Sequence, residues 1–219
     1  MITFDDIRTD PLIRAFIQRG DDVMSAIKYT EHGFAHAGMA AERASRLLAQ
    51  LGYDARTLEL ARIAGFMHDI GNSVNRHDHA QSSAVLAYSI LSQKGMEPDE
   101  LCEIISAIGH HDEGTGGPVS PISAALILAD KSDVRRSRVR SSQTIDNDIH
   151  DRVNYAVISS ELAVDAAARL IVLSLEIDME ISAVMDYFEI FLSRMLLCRK
   201  AAEYLGLKFE LHINNTKLL

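Results

Sequence analysis

Apolar residues recur every three or four positions through the first two thirds of the chain, which is the spacing of amphipathic helices. Prolines at positions 11, 98 and 121 stand where such runs begin, and glycines at positions 52, 71 and 95 stand where they end. Helical patterns cover residues 30–51, 54–70 and 122–134. Asp78 with Gln81 has the spacing of a capping box and opens a further helix, with His79 in its first turn.

The period changes to two near the C-terminus, which predicts half-buried strands. Strands are expected at 155–164, 171–177 and 207–213, with a long helix at 180–205 before the last. The order β-β-α-β predicts a small sheet with one helix packed on it. The polar stretch from Arg140 to Asp148 is interpreted as a linker. We therefore expect a mainly α fold with two domains, a helical one at 1–150 and an α+β tail at 151–219.

Composition narrows the function classes. The 219-residue chain has a formal net charge of −9, which argues against a general nucleic-acid or anionic-membrane surface. The two cysteines, Cys102 and Cys198, lack the spacing of a disulfide scaffold or a thiolate zinc site. The N-terminus has no basic stretch followed by an apolar one, and no run of about 18 apolar residues occurs. A cytoplasmic protein is expected.

Seven of the nine histidines lie between positions 32 and 111. His32 and His36 share one helix face, and His68 and Asp69 are adjacent at the end of another helix. Asp69 and Asp130 each fall on the apolar stripe of a predicted helix, where a carboxylate needs a cation or a metal. One such histidine alone is more often a core or capping residue, but the set as a whole indicates metal ligation.

Two other histidines, His77 and His150, are not predicted to bind a metal. His77 is predicted to be a loop residue, because it would point away from His79 on a helix. The dipeptide His150-Asp151 lies in a polar segment and is predicted to be a surface or linker pair.

The order of these residues resembles the HD-domain superfamily of metal-dependent phosphohydrolases, over about residues 30–140. The resemblance rests on His36, on His68-Asp69 within Met67-His-Asp-Ile-Gly-Asn72, on His79, on His110-His111, and on Asp130 within Ile127-Leu-Ala-Asp-Lys131. It implies an HD-domain-like helical bundle. It also implies a first metal held by His36, His68, Asp69 and Asp130, and a second held by His79, His110 and His111, with Asp69 as the bridge. His32 occupies the place of an extra ligand found in some dinuclear members.

Two positions depart from the HD-GYP branch of that superfamily. Asn72 stands where those proteins have lysine, and Gly116-Gly117-Pro118 stands in place of Gly-Tyr-Pro. Cyclic di-GMP is therefore not the expected substrate. The resemblance indicates the class of reaction, phosphoester hydrolysis, but does not identify the substrate.

Imidazole and carboxylate donors suit two divalent transition metal ions, with Fe or Mn expected and Ni, Co or Zn as alternatives. Such ions lower the pKa of a shared water, and the resulting hydroxide would attack a phosphoester. Asp69 and Lys131 are the predicted catalytic residues. Five basic residues fall within ten positions after Asp130, and we expect this run to bind the phosphate group, with Arg135, Arg136 and Arg138 as the substrate-binding residues. The run is Lys131, Arg135, Arg136, Arg138 and Arg140.

The leading hypothesis is a metal-dependent hydrolase of a small phosphorylated metabolite or nucleotide. The alternatives are a di-iron oxygenase with the same ligand set, and a non-catalytic metal- or ligand-sensing module. No nucleic-acid or membrane partner is expected. A homodimer is expected, because the predicted strand 207–213 could form a sheet edge that pairs with a second chain.

Overall fold

The computed structural model describes residues 1–140 and 148–219, in which a helical bundle is followed by a small four-stranded sheet. The predicted linker lies mostly in residues 141–147, outside the described part. The helices have the following bounds: α1 Phe4–Arg8, α2 Pro11–Ala26, α3 Phe34–Gln50, α4 Ala55–Met67, α5 His79–Gln93, α6 Pro98–Gly109, α7 Pro121–Lys131, α8 Ile149–Ala156 and α9 Val184–Tyr204. Short 3₁₀ helices lie at Ile70–Ser73 and Arg136–Arg138. The predicted fold class is confirmed.

Several helices begin as the sequence predicts, on a side chain that accepts hydrogen bonds from the first turn. Asp10 accepts from the backbone of Leu12 and Ile13, and Ser120 accepts from that of Ser123. The capping box predicted at Asp78 is wrong. This residue has a positive φ of 55° and makes no cap hydrogen bond, and Gln81 donates instead to Thr115.

Close contact between α3 and α4 places two of the histidine-bearing segments side by side. A Cβ atom at Gly65 would lie 2.7 Å from the backbone N and Cα of Ala41, so only glycine permits this approach. Helix α7 packs against both α3 and α4. Its residues 122–129 are all buried, which explains why the sequence there is almost entirely apolar.

The C-terminal sheet consists of β1 Val157–Asp165, β2 Leu170–Ile177, β3 Lys208–Ile213 and β4 Thr216–Lys217, in that spatial order. β2 and β3 are parallel and are joined through α9, whereas the other neighbours are antiparallel. α9 packs on both β3 and α7, so it ties the tail to the helical bundle. The β-β-α-β order is therefore confirmed, with β4 added.

Two details of the tail differ from expectation. Residues 155 and 156, predicted to begin a strand, end α8, a helix that the sequence pattern did not reveal and that contains the predicted domain boundary at 150. β3 is not an edge strand, because it pairs with β2 on one side and with β4 on the other. β4 is only two residues long and covers one end of β3, so the predicted pairing of a second chain along residues 207–213 stays a prediction. Within the described residues, no helix is both long enough and apolar enough to cross a membrane.

Candidate metal centre

Six of the predicted ligands come together at the ends of five helices. The six are His36 in the first turn of α3, His68 and Asp69 just after α4, His79 at the start of α5, His111 just after α6, and Asp130 in the last turn of α7. The four imidazoles are buried, and the two carboxylates are nearly so. Helix ends are suited to binding a metal, because several helices that run in different directions can each place a side chain near the same point.

The first group of donors surrounds His36. Its Nε2 atom lies 3.2 Å from Nε2 of His68 and 3.2 Å from Oδ1 of Asp130. Oδ2 of Asp69 lies 3.4 Å from Nε2 of His68. These four side chains therefore converge on one point.

The second group lies on the other side of Asp69. Nε2 of His79 is 3.2 Å from Nε2 of His111. Oδ1 of Asp69 is 3.4 Å from the former atom and 3.8 Å from the latter. The two oxygens of Asp69 thus face different groups of donors, which is the arrangement of a bridging carboxylate.

Hydrogen bonds at the far side of each ring set the tautomer. The Nδ1 atoms of His68, His79 and His111 lie 2.7, 3.1 and 2.6 Å from backbone carbonyl oxygens. A carbonyl oxygen can only accept, so each neutral ring carries its proton on Nδ1 and a lone pair on Nε2. The lone pairs of facing rings then point at one another and at carboxylate oxygens, an arrangement that repels unless a cation lies between them.

The spacing of the donors fits divalent ions. Donors about 2.1 Å from one ion lie about 3.0 Å apart at right angles and about 3.4 Å apart in a tetrahedron. The observed separations of 3.2 to 3.8 Å fall in or slightly above this range. The donors are imidazole and carboxylate, the mixture that holds transition metals. The residues present therefore fit a metal centre.

Both carboxylates of the centre are ionised. Burial, the largest single effect, acts to raise their pKa values, but neighbouring groups outweigh it. The imidazoles of His68 and His79 hold the pKa of Asp69 well below its usual value, and the ammonium of Lys131 does the same for Asp130. The centre thus carries two negative charges ready for a cation.

The imidazoles fall into two classes. Burial lowers the pKa of His79, and it lowers that of His111 well below the usual value, which favours the uncharged rings that metal binding requires. The pKa of His36 is raised, because its hydrogen bonds to Asp130 and Asp133 outweigh the opposing effect of burial.

Asp133 is a buried carboxylate that the sequence analysis did not single out. Its Oδ2 accepts a hydrogen bond from Nδ1 of His36 at 2.7 Å, and Arg135 and Arg138 lie against it. Burial opposes ionisation, but the bond from His36 and the charge of Arg138 hold the pKa of Asp133 far below its usual value. The signal available in the sequence was its position three residues after Asp130, one helical turn along.

His110 and His32 have different places. α6 ends at Gly109, and the adjacent rings that follow it diverge: His111 turns into the centre, whereas His110 is exposed, with Nδ1 2.9 Å from the carbonyl oxygen of Ser106. The structure thus does not bring His110 to the second group. His32 is beside the centre, its ring centroid 5.5 Å from that of His36.

Lys131 is buried beside the first group of donors. Its Nζ lies 2.8 Å from Oδ2 of Asp130 and 2.7 Å from Oε2 of Glu113, which also pairs with Arg194 of α9. These contacts hold the outer oxygen of Asp130 and link the loop after α6 to the tail. The ammonium is thus already paired with two carboxylates.

The predicted phosphate-binding role of Arg135 and Arg136 is wrong for the observed geometry. Arg135 pairs with Asp133 and with Glu31, and Arg136 donates to the carbonyl of Tyr155 and stacks on its ring. Neither lines the cavity over the centre. Clustering in sequence did not indicate clustering in space, because the short 3₁₀ helix at 136–138 turns successive side chains in different directions.

The last two arginines of the run hold the segment before α3. Arg138 is buried and donates to the backbone carbonyls of Glu31 and Asp133, and Arg140 donates to the carboxylate of Asp21. Arg138 does reach the cavity wall, but each of its three guanidinium nitrogens already donates to a backbone carbonyl. The basic run is therefore mainly structural.

A cavity of about 340 Å³ opens over the centre. Asp69, His79 and Asp130 form part of its wall. The cationic wall residues are Lys28, Arg76, Lys131, Arg138 and Arg194, and the aromatic ones are Tyr29 and Phe191. The carboxylates of Asp69, Asp130, Asp148 and Asp151 also line it, so among the described residues basic wall residues outnumber acidic ones by one.

The tail contributes to this cavity. His150, Asp151 and Asn154 of α8 line it, together with Phe191 and Arg194 of α9. The prediction that His150 and Asp151 form a surface or linker pair holds for His150, which is exposed at the cavity, but is wrong for Asp151, which is buried. The sequence pattern did not reveal α8 as a helix, so its inward face could not be assigned.

Residues 33–139 match the family model of the HD domain, a range that contains all six converging ligands. "Uncharacterized protein MJ1020" of Methanocaldococcus jannaschii is 26% identical over 159 residues, which cover 63% of this chain and 61% of that protein. Ribonuclease Y of Cutibacterium acnes is 29% identical over 136 residues, which cover 58% of this chain and 23% of that protein. The chain thus spans less than two thirds of the length of either relative.

Proposed function

We propose, from the premise that this chain belongs to the HD-domain superfamily, that it is a metal-dependent hydrolase of a phosphoester, acting on a small phosphorylated metabolite or a nucleotide. The observation that carries the proposal is the bridging geometry of Asp69, whose two oxygens face two separate groups of imidazole donors. Two ions bridged by a carboxylate would lower the pKa of a water and neutralise phosphate oxygens.

The protein's own residues supply the rest of the site. His36, His68, Asp69 and Asp130 would hold one ion, and Asp69 with His79 and His111 the other. Three protein donors at the second position leave room for substrate or water. We propose Fe or Mn for both positions, because these donors suit transition metals and include no thiolate.

The cavity favours a small substrate. Its volume of about 340 Å³ is at the lower end of the range for small-molecule sites. An RNA substrate is the competing class, supported by the 29% identity to a protein named as a ribonuclease. The net charge of −9 argues against it, since RNA backbones are held by an excess of Lys and Arg.

Adjacent histidines provide the matched test. Protein reconstituted with Mn or with Fe would be assayed for phosphate release from a panel of phosphomonoesters and nucleotides, with a short RNA included. His111→Ala should lose at least a hundredfold in turnover and bind fewer ions, whereas His110→Ala, which alters an exposed ring, should match the wild type. Equal loss in both variants, or in neither, would contradict the assignment.

Oxygen uptake and metal content, measured beside phosphate release, distinguish the hydrolase from an oxygenase and from a sensing module. Oxygen uptake on addition of substrate, without phosphate release, would identify a di-iron oxygenase. A fully loaded centre with no turnover on any substrate would favour a sensing module.

A homodimer and a cytoplasmic location remain proposals. Light scattering tests the first, and a monomer would refute it.

A further inference from the structure

The cations around the cavity differ in what they are bonded to. Lys131 is paired with two carboxylates, Arg194 with one, and Arg138 with backbone carbonyls. Lys28 is exposed at the rim. Arg76 is half-buried at the cavity wall, and among the described residues no carboxylate lies within ion-pair distance of it.

Arg76, like Lys131, is in direct contact with a donor of the centre. One terminal nitrogen of its guanidinium lies 3.1 Å from Nε2 of His79. The carbonyl of the same residue accepts from Nδ1 of His79, also at 3.1 Å. The backbone of Arg76 therefore orients the ligand, and its side chain covers the lone pair that a metal would use.

That lone pair cannot serve the guanidinium and a metal together. With an ion held by His79, Arg76 loses this acceptor and keeps a forked set of donors facing the cavity. Among the described residues, the other contact of its guanidinium is with the face of Tyr29, whose ring centroid lies 5.8 Å away. Such a cation–π contact does not use the in-plane N–H donors. A forked cation beside two metal positions is suited to the non-bridging oxygens of a phosphate.

We propose that Arg76 is the substrate-binding residue that holds the phosphate group, in place of the run at 135–138. The inference rests on the proposed function, which it deepens by assigning the phosphate contact to the loop between Asp69 and His79. A guanidinium at this point selects a substrate with a phosphate whose oxygens are accessible, as at the end of a phosphomonoester.

The probe is inorganic phosphate, titrated calorimetrically into Mn-loaded protein. Arg76→Gln should weaken phosphate binding by about ten- to a hundredfold, the effect of removing a charge-assisted hydrogen-bonding pair. The number of Mn ions per chain should not fall, because the substituted side chain supplies no metal donor. Arg76→Lys should recover part of the affinity, since a charge is retained without the fork.

The matched control is Arg136→Gln, which removes a guanidinium outside the cavity and should leave phosphate binding unchanged. Circular dichroism and melting temperature would confirm that both variants fold. Equal phosphate affinity in Arg76→Gln and the wild type would overturn the inference, as would a wild type that binds no phosphate.

The proposed function fails in a different way. A wild type that binds phosphate through Arg76 but releases none from any phosphoester would refute the hydrolase while supporting the anion site. Where hydrolysis is observed, Arg76→Gln should raise KM for p-nitrophenyl phosphate by at least tenfold, and an unchanged KM would overturn the inference.

Discussion

Replacing Asp133 with asparagine tests how the centre is held in place. Asparagine has nearly the same shape and can still accept from Nδ1 of His36, but it lacks the charge. In the native protein this carboxylate is 2.7 Å from His36 Nδ1 and is almost wholly buried. A carboxylate behind a ligating imidazole fixes the ring and raises its basicity.

The loss can be estimated in two parts. Removing the partner of a ligating histidine weakens metal binding by about ten- to a hundredfold, or about 1.4 to 2.8 kcal/mol. Removing one member of a buried ion pair costs about 3 to 5 kcal/mol of folding free energy when the other is left alone. Here Arg138 keeps its bonds to two carbonyls and Arg135 keeps Glu31, so we expect about 1 to 3 kcal/mol.

The assay has two readouts. Competition with a fluorescent chelator gives the Mn dissociation constant, and thermal unfolding of metal-free protein gives the folding cost, at about 2 to 4 °C per kcal/mol for a chain of this size. Glu100→Gln is the control, since it removes a carboxylate paired with Arg56 at the end of α6 opposite to His111. It should lower stability without changing the Mn affinity.

An unchanged Mn dissociation constant in Asp133→Asn would show that the Asp133 carboxylate does not support metal binding by His36. Equal weakening in Glu100→Gln would also exclude this role, because the effect would then be a general consequence of lost stability.

Two further predictions concern packing and pH. Gly65→Ala should lower the melting temperature by about 2 to 12 °C, because the added Cβ meets the backbone of Ala41 and overpacking costs about 1 to 3 kcal/mol. Gly38→Ala on α3, where a Cβ meets nothing within 4 Å, should be neutral or stabilising, and a lower melting temperature for Gly38→Ala than for Gly65→Ala would contradict the packing. The pKa of Glu113 is about 2, because the charges of Lys131 and Arg194 outweigh its burial. A depressed carboxyl pKa stabilises the fold above the unfolded value near 4.5, and this contribution disappears as the pH falls towards 2. Glu113→Gln should therefore be less stable than the wild type at pH 6 and nearly equal to it at pH 2 in urea unfolding, and a gap that is the same at both pH values would exclude the assignment.

The sequence could predict the ligands because each is tied to a helix end that leaves a local signal. Asp130 ends the apolar stripe of α7, and His68-Asp69 precedes Gly71. His79 does lie in the first turn of α5, although the Asp78 capping box that predicted this helix start is not formed. A charged residue on the apolar face of a helix can be recognised from the sequence alone. The pairing of donors across five helices cannot be recognised from spacing along the chain. The resemblance to the HD-domain superfamily implied it, and the distances around Asp69 show it for six of the seven residues.

The wall of the cavity could not be predicted in the same way. Arg76 is a single basic residue in a short loop, and nothing in the neighbouring sequence marks it. Arg135 and Arg136 gave a strong local signal, but long-range partners at Glu31 and Tyr155 use their donors. The inward face of α8 depends on how the tail folds back, which local periodicity does not contain.

The number of metal ions bound per chain tests directly whether the converging histidines and aspartates form a two-ion centre. Protein purified without chelator and reconstituted with Mn or Fe would be dialysed and analysed by plasma mass spectrometry. We expect about two ions per chain in the wild type and none in Asp69→Ala, which removes the bridging carboxylate. One ion per chain in the wild type would contradict the two-ion centre, and a wild type with none would contradict the metal centre itself.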